Sequence, residues 1–136
     1  MGVPNTFVDG TVAVASEINA NFTYIIEADS WHEIGSGGEP AFENSWENYA
    51  IGYDTAAFYK DSMSFVHIKG MVKSGTVGAV AAFTLSAGYR PTNKKIFAVT
   101  SNGVFGSLEI QTGGEVYLNS GNNAYFSLEG ISFKTN

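Results

Sequence analysis

The sequence predicts a mostly β fold: an antiparallel β-sandwich head preceded by a short N-terminal α-helix. Three observations carry that expectation. The hydrophobic pattern changes from a helical period to a period of two near residue 44, segments rich in β-branched and aromatic residues follow, and good turn formers separate each from the next. The 136 residues, 44% apolar and 15% charged, leave room for one domain with a core of its own and a short appendage.

Residues 1–30 read as one segment. The first fifteen are small, β-branched or polar, with a turn at Asp9-Gly10. Ser16 is suited to cap a helix, and Glu17 places a carboxylate in the first turn, where the helix dipole favours it. Ala15, Ile18, Phe22 and Ile25 then alternate as the a and d positions of a heptad seam, with Asn19, Asn21 and Thr23 between them. Asp29 occupies the next a position, so the seam is shorter than two heptads. A helix this short needs a partner, and both its own domain and other copies of the helix fit that role. Residues 31–43, with Trp31-His32-Glu33 and then Gly35-Ser36-Gly37-Gly38, read as a flexible linker. Residues 44–136 form the head.

Within the head, strands are expected at Trp46–Tyr53, Ala57–Lys60, Ser64–Lys73, Ala79–Leu85, Lys95–Thr100, Val104–Gln111, Glu115–Leu118 and Ala124–Phe133. Asp61-Ser62, Ser74-Gly75, Ser101-Asn102-Gly103, Gly113-Gly114 and Asn119–Asn123 supply the turns. Phe65, His67, Lys69 and Met71 alternate with Val66, Ile68, Gly70 and Val72, as they would on a half-buried strand. Short strands at this spacing imply a sandwich or barrel.

Charge and composition exclude several functions. Residues 1–61 hold ten acids and one base, a charge of −9, while residues 62–136 carry +3, which gives the net −6. An acidic chain whose nearest basic cluster is Arg90, Lys94 and Lys95 is a poor binder of nucleic acid. The absence of cysteine removes disulfides, thiolate metal sites and cysteine nucleophiles. No apolar run approaches the roughly 18 residues that span a bilayer, and the N-terminus lacks a signal-peptide pattern, so a soluble chain without membrane insertion is expected.

An ordered series of short motifs adds to this. It reads Trp46-Glu47-Asn48-Tyr49, Phe58-Tyr59-Lys60-Asp61, Val66-His67-Ile68-Lys69-Gly70-Met71-Val72-Lys73-Ser74-Gly75-Thr76, Phe83-Thr84-Leu85 and Ala87-Gly88-Tyr89-Arg90-Pro91. Gly114-Glu115-Val116 and Ser127-Leu128-Glu129-Gly130-Ile131-Ser132-Phe133 continue it. The series resembles the C-terminal head domain of tailed-bacteriophage tail-fibre and receptor-binding proteins. Asp9-Gly10-Thr11 with Ala15–Phe22 resembles the opening of many phage tail structural proteins. The resemblance implies a homotrimer, with Ala15, Ile18, Phe22 and Ile25 in its seam and residues 1–30 as the attachment and trimerisation segment. It implies other virion proteins, of tail or capsid, as partners of that segment, and a host surface glycan or protein as partner of the head. The location it implies is the virion surface. Two departures stand out: no long shaft separates helix from head, and Leu85-Ser86 replaces the usual leucine-proline. The structural rival within the same resemblance is a head-fibre, decoration or tail-adaptor protein that docks to other virion proteins.

No constellation points to an enzyme or a cofactor. His32 and His67 lie in different segments, and His32-Glu33 offers a metal only one adjacent pair of ligands. Glu39, Glu43 and Glu47 are four apart, but Pro40 and the glycines before it oppose a helix that would align them, so a solvated acidic face is expected before a glycosidase pair. His67 is expected at a core edge or between chains. The Tyr89-Arg90-Pro91 turn is expected to be structural, with the tyrosine packed beneath it. Saccharide binding uses an apolar ring beside a few polar groups. Trp46, Tyr49, Tyr53, Tyr59, Tyr117 and Tyr125 are flanked by polar or turn residues, and Asn102, Asn119, Asn122 and Asn123 fall in expected loops at the ends of strands. These ten are the candidate ligand-binding residues.

Overall fold

A computed structural model describes residues 29–135, and among them it contains strands and turns but no helix. The expected helix and the seam residues Ala15, Ile18, Phe22 and Ile25 lie outside the described residues. Eleven strands are formed: β1 (His32–Glu33), β2 (Glu47–Asn48), β3 (Ala57–Lys60), β4 (Phe65–Lys69), β5 (Met71–Lys73), β6 (Ala81–Thr84), β7 (Lys95–Ser101), β8 (Val104–Ile110), β9 (Glu115–Ser120), β10 (Phe126–Ser127) and β11 (Ile131–Lys134). They make two antiparallel sheets, one in the order β1-β3-β4-β11 and the other β2-β5-β10-β7-β8-β9-β6. Apolar residues at alternate positions fill the space between the sheets. Phe58, Val66, Ile68, Ile131 and Phe133 come from the first sheet, and Val72, Phe83, Leu108, Ile110, Leu118 and Phe126 from the second. The sandwich-like arrangement follows from this two-sided burial.

Two expected strands each turn out to be two strands in different sheets. Ser64–Lys73 divides at Gly70 into β4 and β5, and Ala124–Phe133 divides at 128–130 into β10 and β11. Because β4 pairs with β11 and β5 with β10, both strands bend together and change sheets together. Gly70 has φ +115°, and a Cβ there would stand 2.5 Å from the Ala56 Cα, so only glycine fits the corner. Two bonds hold the bend: Leu128 N–H donates to the Gly70 carbonyl at 2.8 Å, and Gly70 N–H donates to Glu129 Oε2 at 2.7 Å. At Gly70 the inward residues Val66, Ile68 and Val72 keep one parity, so hydropathy alternation does not register the change of sheet there, whereas at 128–130 the phase slips by one residue, from Phe126 and Leu128 to Ile131 and Phe133.

Residues 31–43 are part of the domain instead of a flexible linker. β1 pairs with β3, Ile34 is buried, and its N–H donates to the Ala56 carbonyl at 2.9 Å. Phe42 meets Phe83 edge to face at 6.5 Å. The glycines make a tight turn, closed by Gly35 N–H on the Pro40 carbonyl at 2.8 Å. Glycine content alone read as flexibility, whereas two apolar anchors on either side fix the turn. Of the expected Trp46–Tyr53 strand only β2 is paired, because Ala50 and Gly52 at φ +79° and +78° turn the chain away.

Candidate functional site

The outer face of the four-stranded sheet carries a row of rings. Tyr59 and Ser132 both stand opposite His67 in the ladder, and Trp31 extends the row beyond β1. Trp31 meets the edge of Tyr59 at 4.6 Å between centroids, and Tyr59 stacks on the His67 imidazole at 5.0 Å and 24°. Lys69 places its ammonium 4.6 Å from the Trp31 ring centre, within cation–π range. Asp54 and Glu129 bring carboxylates to the other wall. The result is an open groove of about 350 Å³. Trp31, at 42% exposure, gives it an accessible ring.

The surroundings of the groove fix its side chains. Asp61 closes the β3–β4 turn: its Oδ1 accepts from Met63 and Phe65 N–H at 2.9 and 3.0 Å, and its Oδ2 lies 2.7 Å from His67 Nε2. The hydrogen bond from His67, then that from Phe65, holds the Asp61 carboxyl below its ordinary pKa. Glu129 lines the groove while its Oε2 caps the corner at Gly70, which leaves Oε1 for another donor.

Trp31 is held from both sides. His32 lies between two carboxylates, with Nδ1 2.8 Å from Glu39 Oε2 and Nε2 2.8 Å from Asp29 Oδ1. The Tyr89 hydroxyl donates to Asp29 Oδ2 at 2.9 Å, and the Lys60 backbone N–H donates to the same oxygen at 3.1 Å. Burial opposes charge on His32, but its hydrogen bonds to the Glu39 and Asp29 carboxylates outweigh it and raise its pKa. Burial likewise works against the Asp29 carboxylate, yet the donors Lys60, His32 and Tyr89 together lower its pKa. Burial and the neighbouring Asp29 push the Tyr89 phenol up to about 12. The two carboxylates address opposite nitrogens of one ring, so they do not converge on a point where an ion could sit. Among the described residues no group of three or more histidine, aspartate or glutamate side chains is placed to hold a metal.

The sequence-derived candidates separate into groups. Tyr59 belongs to the groove. Tyr49, Tyr53 and Tyr125 come together elsewhere, Tyr49 meeting Tyr53 at 5.4 Å and Tyr125 at 6.1 Å, both edge to face. Trp46 is not a surface contact: it is 3% exposed, packs on Phe126 at 5.5 Å and donates from Nε1 to the Thr76 carbonyl at 3.2 Å. A Cβ on Gly75 would stand 2.1 Å from its ring, so a glycine makes the slot that buries it. Asn122 and Asn123 are occupied as turn residues, Asn122 Oδ1 accepting from Ala124 N–H and Asn123 Nδ2 donating to the Gly75 carbonyl. Asn119 donates to Glu109 at 2.6 Å on the outer face of β8–β9, where Tyr117 also pairs with Glu109. Asn102 sits exposed at the β7–β8 turn with φ +47°.

The three glutamates spaced by four share no partner: His32 meets Glu39, Thr84 meets Glu43, and Ser74 and Lys73 meet Glu47. His67 shares a strand face with Phe65 and Lys69 as expected, but it is the outward one. Tyr89 packs on Phe58 at 5.0 Å, and Arg90 Nε donates to the Leu85 carbonyl at 2.8 Å, so the turn at 89–91 is built into the fold. Sequence reasoning missed Trp31, Lys69, Asp54 and Glu129. Trp31 was hidden by the glycines that follow it, Lys69 stands beside His67 on the outer face of β4, and Asp54 and Glu129 reach the groove through the corner, where the Asp54 carbonyl accepts from Met71 N–H and Glu129 from Gly70 N–H.

No helix among the described residues is long and apolar enough to cross a membrane. Comparison with protein-family models, with curated proteins and with solved structures finds no match to the chain.

Proposed function

We propose that the chain is a virion-surface protein of a tailed bacteriophage, a homotrimeric fibre or receptor-binding protein whose β-domain adsorbs non-covalently to saccharide on the host cell. The observation that carries this reading is the groove in which the Trp31 and Tyr59 rings stand beside Lys69, Asp54 and Glu129. A sugar ring can lay its apolar face on the exposed indole while the carboxylates and ammonium bond its hydroxyls. The ordered motifs along the chain support the phage setting. Three copies would convert weak single-site binding into firm adsorption through effective concentration.

The test is adsorption of labelled full-length protein to a panel of bacterial strains, with its solution mass measured by light scattering. Saturable adsorption that disappears in Trp31→Ala, from a particle of three chains, is the expected result. Adsorption that Trp31→Ala leaves intact, or none on any strain, overturns it. One observation favours the docking alternative: Ile96 and Phe105, on the same outer face of β7–β8, are each more than 60% exposed, as apolar residues that meet another virion protein would be. Under that reading Phe105→Ser abolishes association with virion particles and Trp31→Ala does not.

A further inference from the structure

Across the corner at Gly70, Val66, Ile68 and Val72 belong to the core cluster, while Phe65, His67, Lys69 and Lys73 take the other side. Met71 is buried between them, outside that cluster. The Met71 backbone ties the groove to a second set of rings: its N–H donates to the carbonyl of the groove residue Asp54 at 3.1 Å, and its carbonyl accepts from Tyr49 N–H at 2.8 Å. Lys73 places its ammonium 5.7 Å from the Tyr49 ring centre and 3.9 Å from Glu47 Oε1, and Tyr53 and Tyr125 meet Tyr49 edge to face. This repeats the make-up of the groove: aromatic rings, one lysine over a ring, and a carboxylate.

Two features join these places. Lys69 and Lys73 are four positions apart, which is at most roughly 13 Å along a strand. Tyr53 and Asp54 are neighbours in sequence, so their Cα atoms are about 3.8 Å apart, and one belongs to the tyrosine set while the other lines the groove. The groove itself, about 350 Å³, is at the small end of ligand sites, which run from roughly 300 to 1,000 Å³.

We infer that Tyr49, Tyr53 and Tyr125 form a second saccharide subsite, and that the ligand of this domain is a polymer spanning from the Trp31 groove across the Tyr53–Asp54 loop to these tyrosines. This rests on the saccharide reading above. Each subsite alone binds weakly, and a chain long enough to reach both gains because its second contact is intramolecular.

The test uses surface polysaccharide purified from a strain that the full-length protein adsorbs to, cut by partial hydrolysis and separated into mono- and disaccharides and longer oligosaccharides. Wild type is expected to bind the longer fraction more tightly than the short one. The double variant Tyr53→Ala/Tyr125→Ala loses about tenfold on the longer fraction and nothing on the short one, and Tyr53→Phe/Tyr125→Phe retains both affinities. Tyr53, 55% exposed, is also replaced alone, so that a folding defect in the double variant leaves a second measurement, expected to move in the same direction. Equal loss on both fractions, or no loss on either while Trp31→Ala still fails to bind, overturns the second subsite and leaves the first reading standing. Failure of every strain and fraction to bind wild type overturns both.

Discussion

Two tryptophans with similar sequence surroundings, each beside acidic and polar residues, meet opposite fates in this domain. Trp46 lies in a slot made by the missing side chain of Gly75 and closed by Phe126, with its indole N–H bonded to a carbonyl. Trp31 lies on the outside of the four-stranded sheet, held by Asp29 before it and His32 after it. The exposures are 3% and 42%. Where a tryptophan goes in this domain is set by backbone geometry many residues away: Gly75 is 29 positions beyond Trp46, and Tyr89 is 58 beyond Trp31. Core packing consumes one ring, and a polar clasp presents the other.

The largest effect expected from that contrast is on stability. Trp46→Ala removes a buried indole and leaves a cavity, a loss of about 3–5 kcal/mol, read as a large fall in the denaturant midpoint. Gly75→Ala pushes a methyl into the same ring and costs roughly 1–3 kcal/mol or more; equal stability in this variant would show that the slot does not define the position of Trp46. Trp31→Ala, by comparison, changes stability by under about 1 kcal/mol and, under the function proposed above, removes the binding assigned to the groove. If the two tryptophan variants destabilised alike, the division into core ring and binding ring would fail.

The smallest effect is pH dependence of the clasp. His32 has a raised pKa, so its contribution is fully present below the ordinary value of 6.5 and is lost as pH rises through the raised one. Asp29 has a lowered pKa, so its contribution is present above the ordinary 3.8 and is lost as pH falls through the lowered one. Stability is therefore highest between these limits. Both groups are partly exposed, which limits each limb to under about 1 kcal/mol. His32→Gln is expected to flatten the alkaline limb of the melting temperature and Asp29→Asn the acidic limb, while neither affects the region around Trp46. A wild-type profile unchanged between pH 5 and pH 8, roughly the range in which histidine titrates, would remove the clasp from the account.

Much of the strand content was legible because alternation of apolar and polar residues is a local consequence of a two-faced sheet. Ala57–Lys60 was read to the residue, and the strands at Lys95–Ser101 and Val104–Ile110 nearly so. The boundaries that failed were those at Gly70 and at 128–130, where two strands leave one sheet for the other. The bend at Gly70 keeps the same parity facing inward and leaves no mark on hydropathy, and the one-residue slip at Glu129-Gly130 is too short to read as a turn between strands. The glycines at 35–38 misled in the opposite direction, since the same residue serves loose chain and tight turn, and only contacts such as Ile34 with the core tell them apart.

The candidate site was less legible. Aromatic residues in polar surroundings include Tyr59 and the tyrosine trio, which the fold leaves on the surface, and Trp46, which it does not. The groove also needs Lys69, Asp54 and Glu129, which no local pattern singled out. The amino-acid sequence was enough to give the mostly β character, the faces of most strands, the structural nature of the Tyr89-Arg90-Pro91 turn and the acidic balance. Those properties follow from residue type and short-range order. The tertiary structure decided which tryptophan is buried, how two sheets share one bent pair of strands, and which rings, ammonium groups and carboxylates stand together. These depend on where a missing Cβ lets distant backbone approach, and that is a property of the packed chain in three dimensions.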